Sequence, residues 1–560
     1  MNFDETLSRI GGFGKYQKLL ILGFIIFFIT SQWQYVGLNF LAGDMDHWCK
    51  MDVNGVNKSH IKELIIPKTV DEFGKKTYSK CEMYDINITD LDMMDLMPTG
   101  NLTRIPCKQG WEYDQTWFYS TIVSKYTLVC DRAWLRTIPA TSFVLGLLFG
   151  SIISGYMSDR WGRKWTTLIM ILCQMVCNVA EAFSPYFWLF VGLRFFIGIW
   201  NMGAYCALYI LMIESMPAVY RNHFSYGLTL GRILEFILPI TAYFLRNHEH
   251  LQMASVGLTI PGLIFVILLP ESPRWLLSRK RYEEYDTVVQ KIARLNNSDF
   301  PEKMMNEARR PEDKENQATE EVSFLNLLRT PRLRQRTLIL WFLWFSMFFV
   351  NFAFGTNIGK LVPGNIYLNL AIVSAGSEIP TFITIWFALF KSGRRLAIMI
   401  YILISGLCCL LMIPLILVNI KLLVTIAAMI AMSTVKTTIW VVFLYTGEIY
   451  PTPARNIGFG TASSIARIAS LISTQLSLLA NVWFGLPYVL LCVFPIVSSV
   501  LAYFLPETKG RNLPETFEEA ELFGTPEYNN LDYKAHIGKE SMLEEPFINH
   551  ATSDRTSNHA

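Results

Sequence analysis

Long apolar runs alternate with shorter polar segments along this chain. Runs such as LLILGFIIFFITSQWQYVGLNFL, TLIMILCQMVCNVAEAF, VGLTIPGLIFVILL and KLLVTIAAMIAMS recur from end to end. A bilayer core of ~30 Å takes roughly 20 apolar residues as helix, and a spanning backbone must satisfy its own hydrogen bonds. About twelve runs meet this criterion, so the pattern predicts an all-α membrane protein. The polar start, MNFDETLSRIGGFGKYQK, carries acids and no small-residue cleavage site, so a cleaved signal peptide is not expected.

Polar segments divide the chain. Residues 1–17 form a polar N-terminus, 18–269 a first group of helices, 270–336 a central block, 337–505 a second group and 506–560 a tail. The first group contains a large insert, 42–134, with Cys49, Cys81, Cys107 and Cys130 and sequons at Asn57, Asn87 and Asn101. Clustered sequons beside an even number of cysteines predict a glycosylated, disulfide-stapled ectodomain, whose cysteines allow three pairings. A further sequon at Asn296 falls in the central block, where it would be inert. Cys173, Cys177, Cys206, Cys408, Cys409 and Cys492 lie in apolar runs and read as core.

Charge fixes an expected orientation. Arg160, Arg163, Lys164, Arg221, the block 270–336, Lys391, Arg394, Arg395 and Arg455 occupy loops that alternate with the ectodomain side, which predicts cytosolic loops and cytosolic termini. The tail after Gly510 and the stretch PEKMMNEARRPEDKENQATEE read as disordered. Of 560 residues, 52% are hydrophobic, 14% aromatic and 17% charged, a balance that excludes a soluble domain of this length. The net charge of +3 gives a nucleic-acid partner no support.

Three phrases occur twice, in the same order and at nearly constant offset. ESMPAVYRN (Glu214 to Asn222) matches EIYPTPARN (Glu448 to Asn456), GYMSDRWGRK (Gly155 to Lys164) matches LFKSGRR (Leu389 to Arg395), and LPESPRWL around Glu271 matches LPETKGR around Glu507. The chain therefore reads as two pseudo-symmetric halves of about six helices, related by an axis along the membrane normal, the plan of rocking transporters. Asp159, Arg160, Arg163, Lys164, Glu214, Arg221 and Glu271 in the first half, with Arg394, Arg395, Glu448, Arg455 and Glu507 in the second, are expected to form charge networks on the cytosolic face that balance two transport states. Ordinary helix-flanking anchors are the alternative.

GYMSDRWGRK resembles the signature of the major facilitator superfamily. Together with the glycosylated loop after the first helix, VCDRAW before the second, SEIP at Ser377, FLYTGEIYPT at Phe443 and LPESPRWL, it makes the chain resemble the organic cation, organic anion and carnitine transporters, solute carrier family 22, within it. The match runs from FDETLSRIGGFGKYQ to LPETKGR. It implies the major facilitator fold, no cofactor, no metal, and movement of small organic ions across the plasma membrane. Some positions depart from the family pattern. Phe390 replaces an Asp that the superfamily often carries in the second signature copy, which implies a weaker gate in that half. The ectodomain has fewer Cys than many relatives, and Met432 stands where many have a Lys.

Charges inside apolar runs are costly and default to functional candidates. At a rise of about 1.5 Å per residue, Arg467, Lys436, Glu378 and Glu235 lie about 18 to 21 Å from the cytosolic face, on different helices near one depth. Arg467 is the first candidate to grip a carboxylate through parallel hydrogen bonds, with a structural pair to an acid as the alternative. The resemblance adds that carriers of anions and carnitine have an Arg at this position and typical cation carriers an Asp. Lys436 would add positive charge, and Trp440, one turn on, either an aromatic wall for the substrate or core packing. Glu378, where the family keeps an acid, is the candidate for an ammonium. Arg232 and Glu235 share a helical face and can neutralise each other. Arg194, which resembles an Arg placed widely across the superfamily, is expected to be conformational, and Glu181 to be solvated near an outer helix end.

The expected function is a polyspecific organic-ion transporter working by alternating access. Its favoured substrate is a carboxylate-bearing anion or a carnitine-like zwitterion; an organic cation carrier is the alternative, and a non-transporting receptor on the same fold a third reading. Gln32, Gln34 and Asn39 of the first helix supply no acid for proton coupling, which favours facilitated diffusion or exchange. No GxxxxGK loop is present to bind ATP. An intramembrane enzyme has no support, because His47, His60, His248, His250, His536, His550 and His559 fall in loops or tails and His223 lies at a helix end without an HExxH context. The expected partners are a small organic ion and the lipid bilayer, with a homo-oligomer left open.

Overall fold

Most of the apolar runs become helices of spanning length. The computed structural model describes residues 11–51, 62, 65–70, 76–85, 103–217, 232, 234–298, 324–361, 365–451, 454–480, 482–483, 485–509, 514, 516–525 and 528. Asn57, Asn87, Asn101, Arg221, His223 and PEKMMNEARRPEDKENQATEE lie outside the described residues. Among the described residues nine helices are long and apolar enough to cross a membrane, and three shorter apolar helices accompany them. The first half holds α1 (Lys15–Val36), α2 (Ile138–Trp161), α3 (Arg163–Ala182), α4 (Phe187–Glu214), α5 (Leu234–Phe244) and α6 (His248–Leu268). The second holds α7 (Pro331–Leu361), α8 (Glu378–Phe390), α9 (Arg394–Leu417), α10 (Lys421–Ile449), α11 (Arg455–Ser473) and α12 (Leu486–Ala502). Each half has its own apolar core, and that of the second extends onto α1, α5 and α6. Helices α2 and α4 touch backbone to backbone: a Cβ on Gly146 would stand 2.1 Å from the Phe195 carbonyl oxygen, and one on Gly198 2.3 Å from that of Phe143.

Between α1 and α2 sits a small domain of two-stranded antiparallel ribbons. Strand β1 (His47–Cys49) pairs with β6 (Trp111–Tyr113), β2 (Lys68–Val70) with β3 (Lys76–Tyr78), and β4 (Glu82–Tyr84) with β5 (Arg104–Pro106). Isolated ribbons of this size are marginal in water. Disulfides Cys49–Cys107 and Cys81–Cys130 tie them together across sequence separations of 58 and 49 residues, closures worth on the order of 4 kcal/mol each. This domain defines one face of the bundle, the domain face; the repeated glutamate phrases lie at the opposite one, the motif face.

On the motif face the three repeated phrases of each half meet at one point. Gly162, at φ +99°, turns the chain between α2 and α3, and a Cβ there would stand 2.3 Å from Glu271 Oε2. The backbone N–H groups of Arg163 and Lys164, first in α3, donate to Glu271 Oε1 at 2.9 and 3.0 Å. The N–H groups of Arg394 and Arg395, first in α9, donate to Glu507 at 2.7 and 3.1 Å. A carboxylate placed there satisfies otherwise open amides and opposes the positive end of the helix dipole. Arg163 Nε and Nη2 also donate to Glu214 at 3.0 and 3.1 Å, and Ser272 Oγ to the same carboxylate at 2.5 Å. The second half repeats this with Arg394 3.8 Å from Glu448 and Thr508 Oγ1 donating to Glu448 at 2.5 Å.

The motif glutamates thus pair with the arginine of the glycine turn and not with the one that follows them in sequence. Arg455 makes no ion pair among the described residues, and its Nε is buried without a partner. Asp159 reaches Arg163 at 3.2 Å, whereas Arg160 stands outside the cluster and donates to Tyr156 Oη at 3.0 Å. Lys164 Nζ and the Arg395 guanidinium donate to the carbonyls of Ile267 and Leu505.

The polar blocks are more ordered than their composition suggests. In the central block, helices Pro273–Ser278 and Tyr282–Leu295 pack on α4 and α1, and Asn296 Oδ1 accepts the Tyr16 N–H at 2.9 Å. Helix α7 opens at Pro331, ahead of the boundary expected at 337. The tail, expected to be disordered, contains the helix Phe517–Leu522. Glu521 accepts the N–H groups of Arg332 and Leu333, both at 2.9 Å, at the start of α7, and Arg336 returns to the carbonyls of Ala520 and Phe523 at 2.5 and 2.8 Å. Only a few apolar contacts, Ala520 and Phe523 among them, hold this helix, too few to register as periodicity.

Glu271→Ala and Glu507→Ala are each expected to lower stability by about 1–3 kcal/mol, the cost of losing part-buried charged-acceptor hydrogen bonds, while Arg160→Ala changes it by less than about 0.5 kcal/mol. Thermal melts of the detergent-purified variants check this; equal midpoints for all three would contradict it. Glu521→Ala is expected to raise hydrogen exchange across 517–525 without changing that of α9, as read by mass spectrometry.

Candidate functional site

Midway through the bundle the apolar stacking is interrupted by ionised side chains. Helix α8 starts at Glu378 because the chain before it, Ile366–Leu370, runs into a π-turn at Ala371–Ala375 and Ser377 takes the N-cap position. This leaves the Glu378 carboxylate at a helix N-terminus, where it is favoured. Lys436 of α10 donates to Glu378 Oε1 at 2.5 Å and to Ser377 Oγ at 2.9 Å. Both charges are almost fully enclosed, at 4% and 2% exposure, so the pair is a committed one. Glu378 Oε2 is buried with no hydrogen-bond partner among the described residues.

Glu235 approaches this pair from the other half. The turn at Leu234–Phe236 packs on the π-turn Ala371–Ala375, and the carboxylate feels Lys436 first, then Glu378 and Arg232. It makes no ion pair within 4 Å among the described residues, so the expected neutralisation by Arg232 is not a direct one. Arg232 instead lies over aromatic rings, its Cζ 5.6 Å from the Phe28 centroid and 5.7 Å from that of Trp440. Phe28 belongs to a cluster with Phe24, Tyr205 and Tyr209, in which Tyr205 and Tyr209 stack at 6.1 Å.

Arg467 stands apart from the other three charges. From α11 its Nη2 reaches Met202 Sδ of α4 at 3.7 Å, and its electrostatic neighbours are Cys206 and Tyr205. No carboxylate lies within ion-pair distance of it among the described residues. The convergence expected from sequence depth therefore resolves into a Glu378–Lys436–Glu235 cluster and a separate Arg467 across the aromatic wall.

A second buried cluster lies wholly in the first half. Arg194 of α4 forms an ion pair with Glu181 of α3, both with fully buried side chains. Gln252 donates to Glu181 and, at 3.2 Å, to Asn178 Oδ1; Arg194 Nη1 donates to Gln34 Oε1 at 3.3 Å, and Gln34 to Ser255 Oγ at 2.5 Å. Glu181 is thus not solvated, because Arg194 and Gln252 reach it from neighbouring helices. The available sign was one Arg and one Glu in adjacent apolar runs, which sequence reading weighed separately.

Hydrogen bonds between described residues of the two halves cluster toward the domain face. Tyr35 Oη donates to the Asn351 carbonyl at 3.3 Å and Asn39 Nδ2 to that of Gly355 at 2.5 Å. Thr137 donates to Gln475 at 3.0 Å, Thr141 and Thr474 meet at 2.8 Å, and Tyr367 Oη donates to the Trp117 carbonyl at 2.9 Å. The two halves are therefore joined on that side.

Known proteins share this plan. Residues 110–520 match the family profile "Sugar (and other) transporter". Solute carrier family 22 member 21 of Mus musculus is 28% identical, with 100% of this chain and 99% of that protein aligned. Organic cation/carnitine transporter 2 of Homo sapiens is 29% identical over 92% of this chain and 94% of its own length, and the beta-alanine transporter of Drosophila melanogaster 28% over 93% and 89%. Among solved structures, the inward-open xylose transporter XylE from E. coli superposes with a TM-score of 0.53 at 18% identity, covering 70% of this chain and 91% of that one. The chain belongs to the sugar (and other) transporter family of the major facilitator superfamily, and members of solute carrier family 22 are among its full-length relatives.

Proposed function

We propose that this chain carries a carboxylate-bearing organic anion, or a carnitine-like zwitterion, across the plasma membrane by alternating access. The observation that supports this most is Arg467, a guanidinium at mid-height of the bundle with a thioether and a ring for neighbours and no acid paired to it among the described residues. In a dry cavity such a group offers a planar fork to both oxygens of a carboxylate. Lys436 is spent on Glu378, so it holds the acid in place more than it attracts a solute. The free Oε2 of Glu378 leaves an acceptor for an ammonium, which suits a zwitterion. Carnitine and beta-alanine, in the names of the human and Drosophila relatives, each join a carboxylate to a cationic nitrogen. An organic cation carrier is the second reading, favoured by the aromatic faces of Trp440 and Phe28.

In this reading the domain face is extracellular, with Asn57, Asn87 and Asn101 glycosylated, and the termini are cytosolic. The carboxylate clusters of the motif face loosen and re-form as the halves rock. Asp159 strengthens the first cluster; the second, with Phe390 in the matching phrase, holds the longer Arg394–Glu448 pair and is the softer of the two.

Uptake of radiolabelled carnitine, glutarate and tetraethylammonium by cells expressing the chain tests the substrate. Arg467→Asp is expected to cut uptake of the carboxylates at least about tenfold, the loss of a charge-assisted hydrogen bond, and to spare tetraethylammonium; the reverse pattern would establish the cation reading. Lys436→Ala is expected to destabilise the protein by about 3–5 kcal/mol, because Glu378 is left charged and alone. The double variant Lys436→Met with Glu378→Leu should recover most of that loss in a thermal melt, and no recovery would mean the pair is not the cause.

A further inference from the structure

Arg232 presents a cation that no ion pair holds among the described residues. Its guanidinium carbon lies 5.6 Å from the Phe28 ring of α1 and 5.7 Å from the Trp440 ring of α10, so one side chain touches both halves. Both distances fall inside the ~6 Å range in which a ring quadrupole holds a cation. It makes no ion pair among the described residues, and Glu235, three residues on, is influenced more by Lys436 than by Arg232. Neither Arg232 nor Trp440 is fully enclosed, and the two rings place the guanidinium at the boundary between the halves.

Those rings are the surface on which a quaternary ammonium would stack, and a positive group already occupies it. An incoming organic cation must displace Arg232 or sit beside it, and like charges in a partly dry cavity repel strongly. A carboxylate meets the opposite field. Aromatic faces satisfy the flat side of a guanidinium and leave its edge N–H donors available. We propose that Arg232 is a specificity-determining residue whose guanidinium, held between Phe28 and Trp440, fills the seat of an organic cation and selects for substrates that bear a carboxylate. The inference rests on the cavity between the halves being the substrate site, as argued above.

The test is uptake of tetraethylammonium and carnitine by wild type, Arg232→Gln, Arg232→Met and Arg232→Lys, each normalised to protein at the cell surface. Tetraethylammonium uptake is expected to rise about tenfold in the Gln and Met variants, the scale of an exchanged desolvated cation–π contact, while KM for carnitine rises. Arg232→Lys keeps a cation over the rings and should behave as wild type, an outcome a purely steric role would not give. Unchanged tetraethylammonium uptake in both neutral variants overturns the proposal. So does failure of both to reach the surface, which would make Arg232 a packing residue. A wild type that moves no carboxylate, beside neutral variants that gain tetraethylammonium, would instead overturn the carboxylate reading and leave this one standing.

Discussion

A glutamate seated on the open amides of a helix N-terminus organises each half of the molecule. Glu271 does this for α3 and Glu507 for α9, each across a glycine that has no Cβ to block it. Because the same loop supplies the arginine that grips Glu214 or Glu448, three helix ends are fixed by one set of contacts. Such contacts are short-range and directional, so each half can move as a rigid body while the boundary between halves stays adjustable. Two copies of one small device therefore serve a chain whose apolar packing forms one core in each half, the second reaching onto α1, α5 and α6.

Much of this was legible in the sequence, for a physical reason. Membrane helices announce themselves by length and composition, and a repeated polar phrase in an apolar chain has little cause to exist except at a helix end. What the phrases bond to was not legible. The repeat put Glu448, Arg394 and Arg455 in one expected network without saying which arginine Glu448 meets; it meets Arg394 from a distant segment, since a helix end points its side chains toward whichever loop is packed against it. Glu181 failed for the same reason: depth along one helix says nothing of the arginine on the next. The tail helix escaped notice because hydrogen bonds from Glu521 and Arg336, not an apolar stripe, hold it.

The central charges illustrate how far depth alone can go. Rise per residue set Arg467, Lys436, Glu378 and Glu235 at one height, but height leaves the angle around the bundle free. The structure divides them, three on one side and Arg467 against Met202 on the other, with aromatic rings between. A buried pair such as Lys436–Glu378 contributes little net stability and much to geometry, since each partner is costly without the other.

Two of the bonds that join the halves on the domain face are one-sided. Tyr35 and Asn39 of α1 donate to main-chain carbonyls of Asn351 and Gly355 in α7. A carbonyl is supplied by every residue type, so substitutions along this stretch of α7 leave the acceptors in place, and only bulk at Gly355, where a Cβ would stand 2.1 Å from Tyr35 Oη, intrudes. The strength of these two bonds is thus written in α1 alone, and evolution can retune them by editing one helix without a matching change in its partner.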